Sequence, residues 1–252
     1  MVTSVVDWPA WQASWDRQQE AYLPDREERF AAMLDTVEAA TGPAPRVLDL
    51  ACGPGSITAR LLERLPGATV VGVDIDPALL AIAGGVFAAD RRVTLVRADL
   101  IDSAWPSALP EQRFDAVVTA TATHWLAPDR LARLYADLAG IIRPGGLFCN
   151  ADHMPDDAAP ALREAIEGLR ERRRARAHAS GVADWAGWWR TAAAEPALAE
   201  QVAWRTAHFD GGHPAEFTPD PSWHVERLRA AGFGQVAVVW RSHEDAVVAA
   251  LR

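Results

Sequence analysis

The sequence predicts an α/β fold, a doubly wound and mostly parallel sheet of seven strands that ends in an antiparallel hairpin. Three observations predict it. Short apolar runs alternate with helical runs from residue 45 to 154. A glycine turn, Ala51-Cys52-Gly53-Pro54-Gly55, follows the first apolar run and opens a helix. After a helical stretch without strands, two more apolar runs close the chain. Strands that alternate with helices require right-handed crossovers, and near-continuous apolar strands fit a sheet covered on both faces.

Taken in order, residues 1–44 read as a helical cover, with Asp25 and Glu28 spaced as a capping box and Phe30, Met33, Leu34 and Val37 at helical spacing. Gly42 to Pro45 ends that segment. Residues 45–154 read as the core. Its strands are expected at 47–50, 69–73, 93–96, 114–119 and 147–150, and its helices at 56–65, 77–87 and 126–142. Residues 155–222, rich in Ala, Arg, Trp and Pro, read as a helical insertion over the substrate, because a connection of that length usually carries function. Residues 223–252 supply a closing helix and the hairpin.

Composition narrows the function. The 252 residues are 50% hydrophobic and 23% charged, ordinary for a globular chain, with no run long enough to span a membrane. The N-terminus lacks the basic and apolar regions of a secretory signal. Two separated cysteines suit a reducing cytoplasm, and no Cys or His spacing suggests a metal site. A formal charge of −9 disfavours a broad nucleic-acid surface. The local exception, Arg170 to Arg176, reads as a solvated helix face. The chain contains eleven tryptophans, whose use as core or pocket wall composition leaves open.

The glycine turn carries the chemistry. It brings backbone and a helix N-terminus against a ligand. Thr58 stands where a dinucleotide fingerprint would have its third glycine. Asp49, at the strand end, suits a cationic group nearby rather than a pyrophosphate, although it could merely cap the turn. Asp74 ends the second strand at the position that grips ribose hydroxyls, with Asp76 as a competitor. Arg97-Ala98-Asp99-Leu100, Phe114 to Val118 and Ile142 to Gly146 complete the pattern.

Over roughly Pro45 to Asn150 these motifs resemble class I S-adenosylmethionine (SAM)-dependent methyltransferases. The resemblance implies that SAM is the cofactor. The Ala51, Gly53 and Gly55 turn would take its methionine end, and Asp49 would hold the loop or the amino group. Asp74 would bind the ribose and Ile75 pack on adenine. Asp99, rather than Asp102, would accept from the adenine amino group beside the Leu100 backbone. Thr119 would face the sulfonium, and Tyr22 and Arg26 fall where related enzymes cover SAM with a helix.

The segment Thr119 to Leu126 lacks the Asn/Asp-Pro-Pro-Tyr signature of enzymes that methylate nucleobase or glutamine nitrogen. It is similar to the small-molecule branch of trans-aconitate and malonyl-carrier carboxyl methyltransferases, with His124 and Trp125 at the two characteristic positions. His124 is the first candidate near the acceptor, as a base, a carboxylate-orienting group or a packing residue. His153 is a second, and Trp185, Trp188 and Trp189 could wall a substrate pocket. His208, His213 and His224 read as structural or exposed. The expected activity is methyl transfer to a small molecule, on oxygen, nitrogen or carbon. A carboxylate O-methyltransferase, a SAM-binding protein that does not methylate and a nicotinamide oxidoreductase are the alternatives.

Overall fold

A computed structural model of the chain describes residues 6–110, 113–155, 158, 160–209 and 216–252. Seven strands form one sheet in the order β3-β2-β1-β4-β5-β7-β6. They are β1 (Arg46–Leu50), β2 (Thr69–Asp74), β3 (Val93–Arg97), β4 (Phe114–Ala120), β5 (Ile142–His153), β6 (Gln235–Arg241) and β7 (Asp245–Leu251). The first five run parallel, and β7 inserts antiparallel between β5 and β6.

Side chains alternate between two cores, as a two-residue period requires. On β7, Ala246, Val248 and Ala250 join a cluster with Leu131, Leu134 and Leu138 of α5 (Pro128–Ile141) and Leu228 of α9 (Pro221–Ala230). Val247 and Ala249 point the other way, toward Phe30, Met33 and Val37 of α2 (Arg26–Thr41) and Leu61 of α3 (Ser56–Arg64). The alternation buries both faces, which explains why apolar residues fill these strands without a polar side. β6 lies at the edge and is largely exposed.

From residue 6 onward the helical cover consists of two helices, α1 (Trp8–Tyr22) and α2, because Pro24 between them cannot continue a helix. Two sequence expectations are corrected. The capping box is absent: Asp25 makes no side-chain cap bond, and its carboxylate accepts from Ser242 Oγ instead. β5 begins at Ile142 rather than 147, because Ile142 already pairs with Phe114 before the register shifts to Ala116 and Leu147. A Cβ on Gly146 in that bulge would lie 2.9 Å from Asp115 O, so only glycine fits.

The remaining α-helices among the described residues are α4 (Pro77–Val86), α6 (Pro160–Ala179), α7 (Trp185–Ala194) and α8 (Ala199–His208). A third apolar cluster joins α4 to α7 and α8 through Ala78, Leu79, Ile82, Trp188, Trp189, Leu198 and Val202, with Trp8, Trp11 and Trp15 of α1 packed against it. Thus α1 and the later helices enclose the carboxyl ends of the parallel strands, where α/β sheets bind ligands. No helix among the described residues is long and apolar enough to cross a membrane.

Candidate active site

A cavity of about 770 Å³ opens at those strand ends. Its floor comes from the loops after β1 to β5, including Ala51, Gly53, Asp74, Ile75, Asp99, Leu100, His124 and His153. Tyr22 and Arg26 reach it from α1 and α2, and Trp185 from α7.

The first turn is built for close approach. Ala51, Gly53 and Gly55 all have positive φ, 56°, 54° and 83°. Gly55 does not line the cavity. It starts α3 in the left-handed region, and a Cβ there would come within 2.5 Å of the Phe87 ring. Asp49 and Thr119 also lie behind the wall rather than on it. Asp49 Oδ2 accepts from Thr58 N at 3.1 Å and Thr58 Oγ1 at 2.6 Å, so the carboxylate braces the turn. Its Oδ1 is buried without a hydrogen-bond partner, and so is Thr119 Oγ1. Burial pushes the Asp49 carboxyl up to about 7.

Asp74 holds two loops together. Its Oδ2 accepts from Gly53 N and its Oδ1 from Asp76 N, both at 2.8 Å. Each oxygen keeps a second lone-pair direction for a ligand hydroxyl. Burial raises this carboxyl to about 6. Asp76 is occupied otherwise: it caps α4 through Ala78 N and Leu79 N. Asp99 lines the cavity and Asp102 does not. These features fit SAM: carboxylates where hydroxyls and an amine must be held, an open glycine turn, and the apolar Ile75, Leu79 and Leu100 between them.

At the other end, His124 Nδ1 lies 2.6 Å from Asp152 Oδ1. Asp152 Oδ2 also accepts from Thr123 Oγ1 and His124 N. Burial opposes ionisation of Asp152, but the His124 imidazole, then His153 and Thr123, hold its carboxyl well below the usual range. The anion takes the Nδ1 proton as a hydrogen bond and leaves Nε2 as the ring's free nitrogen. Behind it, Asn150 Nδ2 donates to Thr123 Oγ1, and Tyr135 pairs with His224 Nδ1 at 2.6 Å. His224 is therefore a buried structural residue, as expected. His208 stacks on Trp204 at the cavity edge, and His213 lies outside the described residues.

The arginine block departs from expectation. Arg172, Arg173 and Arg176 face solvent. Arg163, Glu167, Arg170 and Arg174, spaced by four, three and four, share one face of α6 and line the cavity. Arg163 and Arg170 pair with Glu244 at 3.1 and 3.2 Å, Arg170 also with Asp245 at 2.7 Å, and Arg174 lies 3.8 Å from Glu167. The tryptophans divide as well. Trp185 lines the cavity, whereas Trp188 and Trp189 are buried against Trp15 with centroids 5.0 and 6.0 Å away. Their packing on α1 removes them from the substrate wall.

Comparison with known proteins agrees with this geometry. A family described as a methyltransferase domain matches residues 47–146. A trans-aconitate 2-methyltransferase of Azoarcus sp. strain BH72 is 34% identical over 199 residues, 77% of this chain and 73% of its own length. One from Streptomyces avermitilis is 34% identical over 142 residues, 55% of this chain and 50% of its own. Three such relatives, from two Methylobacterium species and from Streptomyces avermitilis, are matched over about half of their own length. Human N-acetylserotonin methyltransferase, solved with SAM, shares the fold at a TM-score of 0.58 and 15% identity, over 96% of this chain and 57% of its own. An O-methyltransferase family protein from Burkholderia thailandensis does so at 0.57 and 19%, over 87% and 55%. The chain belongs to the class I SAM-dependent methyltransferases. It is an enzyme that uses SAM to methylate a small-molecule acceptor, which sets aside the nicotinamide and non-methylating alternatives.

Proposed function

We propose that the acceptor is a small organic acid and that the methyl group goes to a carboxylate oxygen. The observation that carries this reading is the cavity face of α6, which brings Arg163, Arg170 and Arg174 to the wall, where they pair with Glu167 and Glu244. Guanidinium groups match carboxylates in planar, paired geometry. The relatives from Azoarcus and Streptomyces avermitilis bear the name of an organic acid, trans-aconitate, which supports the same class.

When bound, SAM supplies an electrophilic methyl on its sulfonium. The chain's residues then have three tasks. The turn at Ala51 and Gly53, with Asp74, Ile75, Asp99 and Leu100, would hold the cofactor. Asp49 braces that turn from behind, Thr119 lies behind the wall at the end of β4, and Tyr22 and Arg26 would cover the cofactor. His153 and the α6 arginines would hold an acceptor carboxylate, with Trp185 closing the wall. His124, oriented by Asp152, would fix the reacting oxygen. A carboxylate is already a nucleophile, so alignment and exclusion of water matter more than proton removal.

The His124–Asp152 pair favours a second reading, base-assisted methylation of a hydroxyl, because an ionised carboxylate behind an imidazole leaves its other nitrogen ready to accept a proton. Labelled SAM offered with small di- and tricarboxylic acids, alcohols and phenols separates the two. A base-labile methyl ester is the expected product. Turnover of hydroxyl acceptors alone would replace the first reading with the second.

A further inference from the structure

We propose that Arg205 of α8 is a positioning residue of the cofactor site, holding the Asp74–Asp76 loop from the helical cover and supplying the counter-charge for its two buried carboxylates. This rests on the assignment of Asp74 to the ribose. Arg205 Nε lies 2.8 Å from Asp76 Oδ2, with the two side chains only 13% and 6% exposed. The guanidinium stacks 3.8 Å from the Trp189 ring centroid and lies 5.5 Å from Trp185 and 5.2 Å from Phe209. The Trp189 ring, with two more aromatic rings nearby, fixes its position while leaving its Nε beside Asp76.

From Asp76 the contacts continue to the ligand side. Asp76 N donates to Asp74 Oδ1, and Asp74 Oδ2 receives Gly53 N. One arginine thus connects α7 and α8 to the ribose-binding carboxylate and to the glycine turn. Buried carboxylates so close together oppose each other's ionisation, and an un-ionised Asp74 accepts ribose hydroxyls poorly. Burial, with Asp76 nearby, raises the Asp74 carboxyl to about 6, and burial raises Asp76 while Arg205 pulls it back.

The other groups facing this loop do not replace Arg205. Asp49 on β1 adds a carboxylate, and Cys52 is a buried thiol pushed well above its usual range. Arg97 on β3 donates to Ile75 O and stacks on Trp204, with its charge directed at the backbone rather than the carboxylates. His208 stacks on the same Trp204 ring.

Calorimetric titration of the full chain with S-adenosylhomocysteine, at pH 6 and pH 8, tests the proposal. The wild type binds at both values. Arg205→Met, which keeps the packing and removes the charge, binds nearly as well at pH 8 and loses a further ~5-fold at pH 6, where the Asp74 carboxyl, already raised to about 6, becomes largely un-ionised. Arg205→Lys restores most of the pH 6 affinity, and so does Asp76→Asn added to Arg205→Met, because it removes the neighbouring anion. Equal weakening at both pH values, or no rescue by either variant, overturns the proposal and leaves Arg205 as packing in the cover. A wild type that fails to bind S-adenosylhomocysteine would instead overturn the cofactor assignment itself.

Discussion

Ala51 adopts a φ of 56°, in the left-handed region where a Cβ costs about 1–2 kcal/mol. Ala51→Gly relieves the strain and loses part of the gain to a freer unfolded chain, so a net stabilisation of up to about 1 kcal/mol is expected in urea unfolding. Asp74→Ala removes the acceptor that joins Gly53 to Asp76. Affinity for S-adenosylhomocysteine should drop about 10–100-fold while far-UV circular dichroism is retained. His124→Ala should lower turnover by about 10²-fold or more and leave S-adenosylhomocysteine binding unchanged, measured by single-turnover kinetics and calorimetry. Asp152→Asn should lower turnover less and change its pH profile, since the amide can no longer hold the ring through an anion. Asp49, Asp74 and His124 could be picked out as single letters after strands. Asp152 could not, because nothing in Asn150-Ala151-Asp152-His153 says which side chain turns toward the imidazole.

At the scale of elements, α6 is the instructive case. Its sequence shows a dense basic block, and counting charge makes it a solvated surface. Spacing tells more: Arg163, Arg170 and Arg174 fall on one helical face, and that face meets the cavity. The direction of the face depends on where α6 docks, which its own sequence does not state. Arg174 also lies over the Tyr22 ring at 5.4 Å, so it contacts the N-terminal cover as well. Arg174→Met should raise the KM for the acceptor about tenfold while S-adenosylhomocysteine affinity holds, as steady-state kinetics and calorimetry would read. A change confined to cofactor binding would move Arg174 to the SAM side. The tryptophans of α7 teach a related point. Trp185, Trp188 and Trp189 fall within about one helical turn, yet only the latter two are buried, in a group of five indole rings that also takes in Trp11 and Trp15 of α1.

Across the whole molecule, Asp245 joins four distant segments. Arg29 of α2 lies 2.9 Å from its Oδ1, His153 at the end of β5 lies 2.7 Å from the same oxygen, and Arg170 of α6 lies 2.7 Å from its Oδ2. Arg29 and Asp245 are both fully enclosed, and the Arg29 guanidinium makes no aligned hydrogen bond among the described residues, so the ion pair is its main compensation. Asp245→Ala should therefore cost about 3–5 kcal/mol in chemical unfolding, because it strands a buried guanidinium. His153 gives a pH signature. Burial works against its imidazolium, but the hydrogen bond to Asp245 and the charges of Asp152 and Asp245 raise its pKa overall. A raised value means that the stabilisation is complete below the unfolded pKa of about 6.5 and is lost as pH rises through the folded value. The stability difference between wild type and His153→Gln should be about 1–2 kcal/mol at pH 5.5 and shrink by pH 9.

By itself the sequence determined the doubly wound sheet, the glycine turn and the acid after β2, because periodicity and short-range spacing are local and survive in one dimension; the methyltransferase family came from the resemblance that those motifs carry. Only the tertiary structure decided which oxygen of Asp74 holds which loop, that Asp152 stands behind His124, and that α6 turns three arginines inward. It also placed Arg205 against Asp76, 129 positions away in the chain. Those contacts join residues from separate elements, and their partners are chosen by how helices pack over strand ends, a choice that no local pattern of letters encodes.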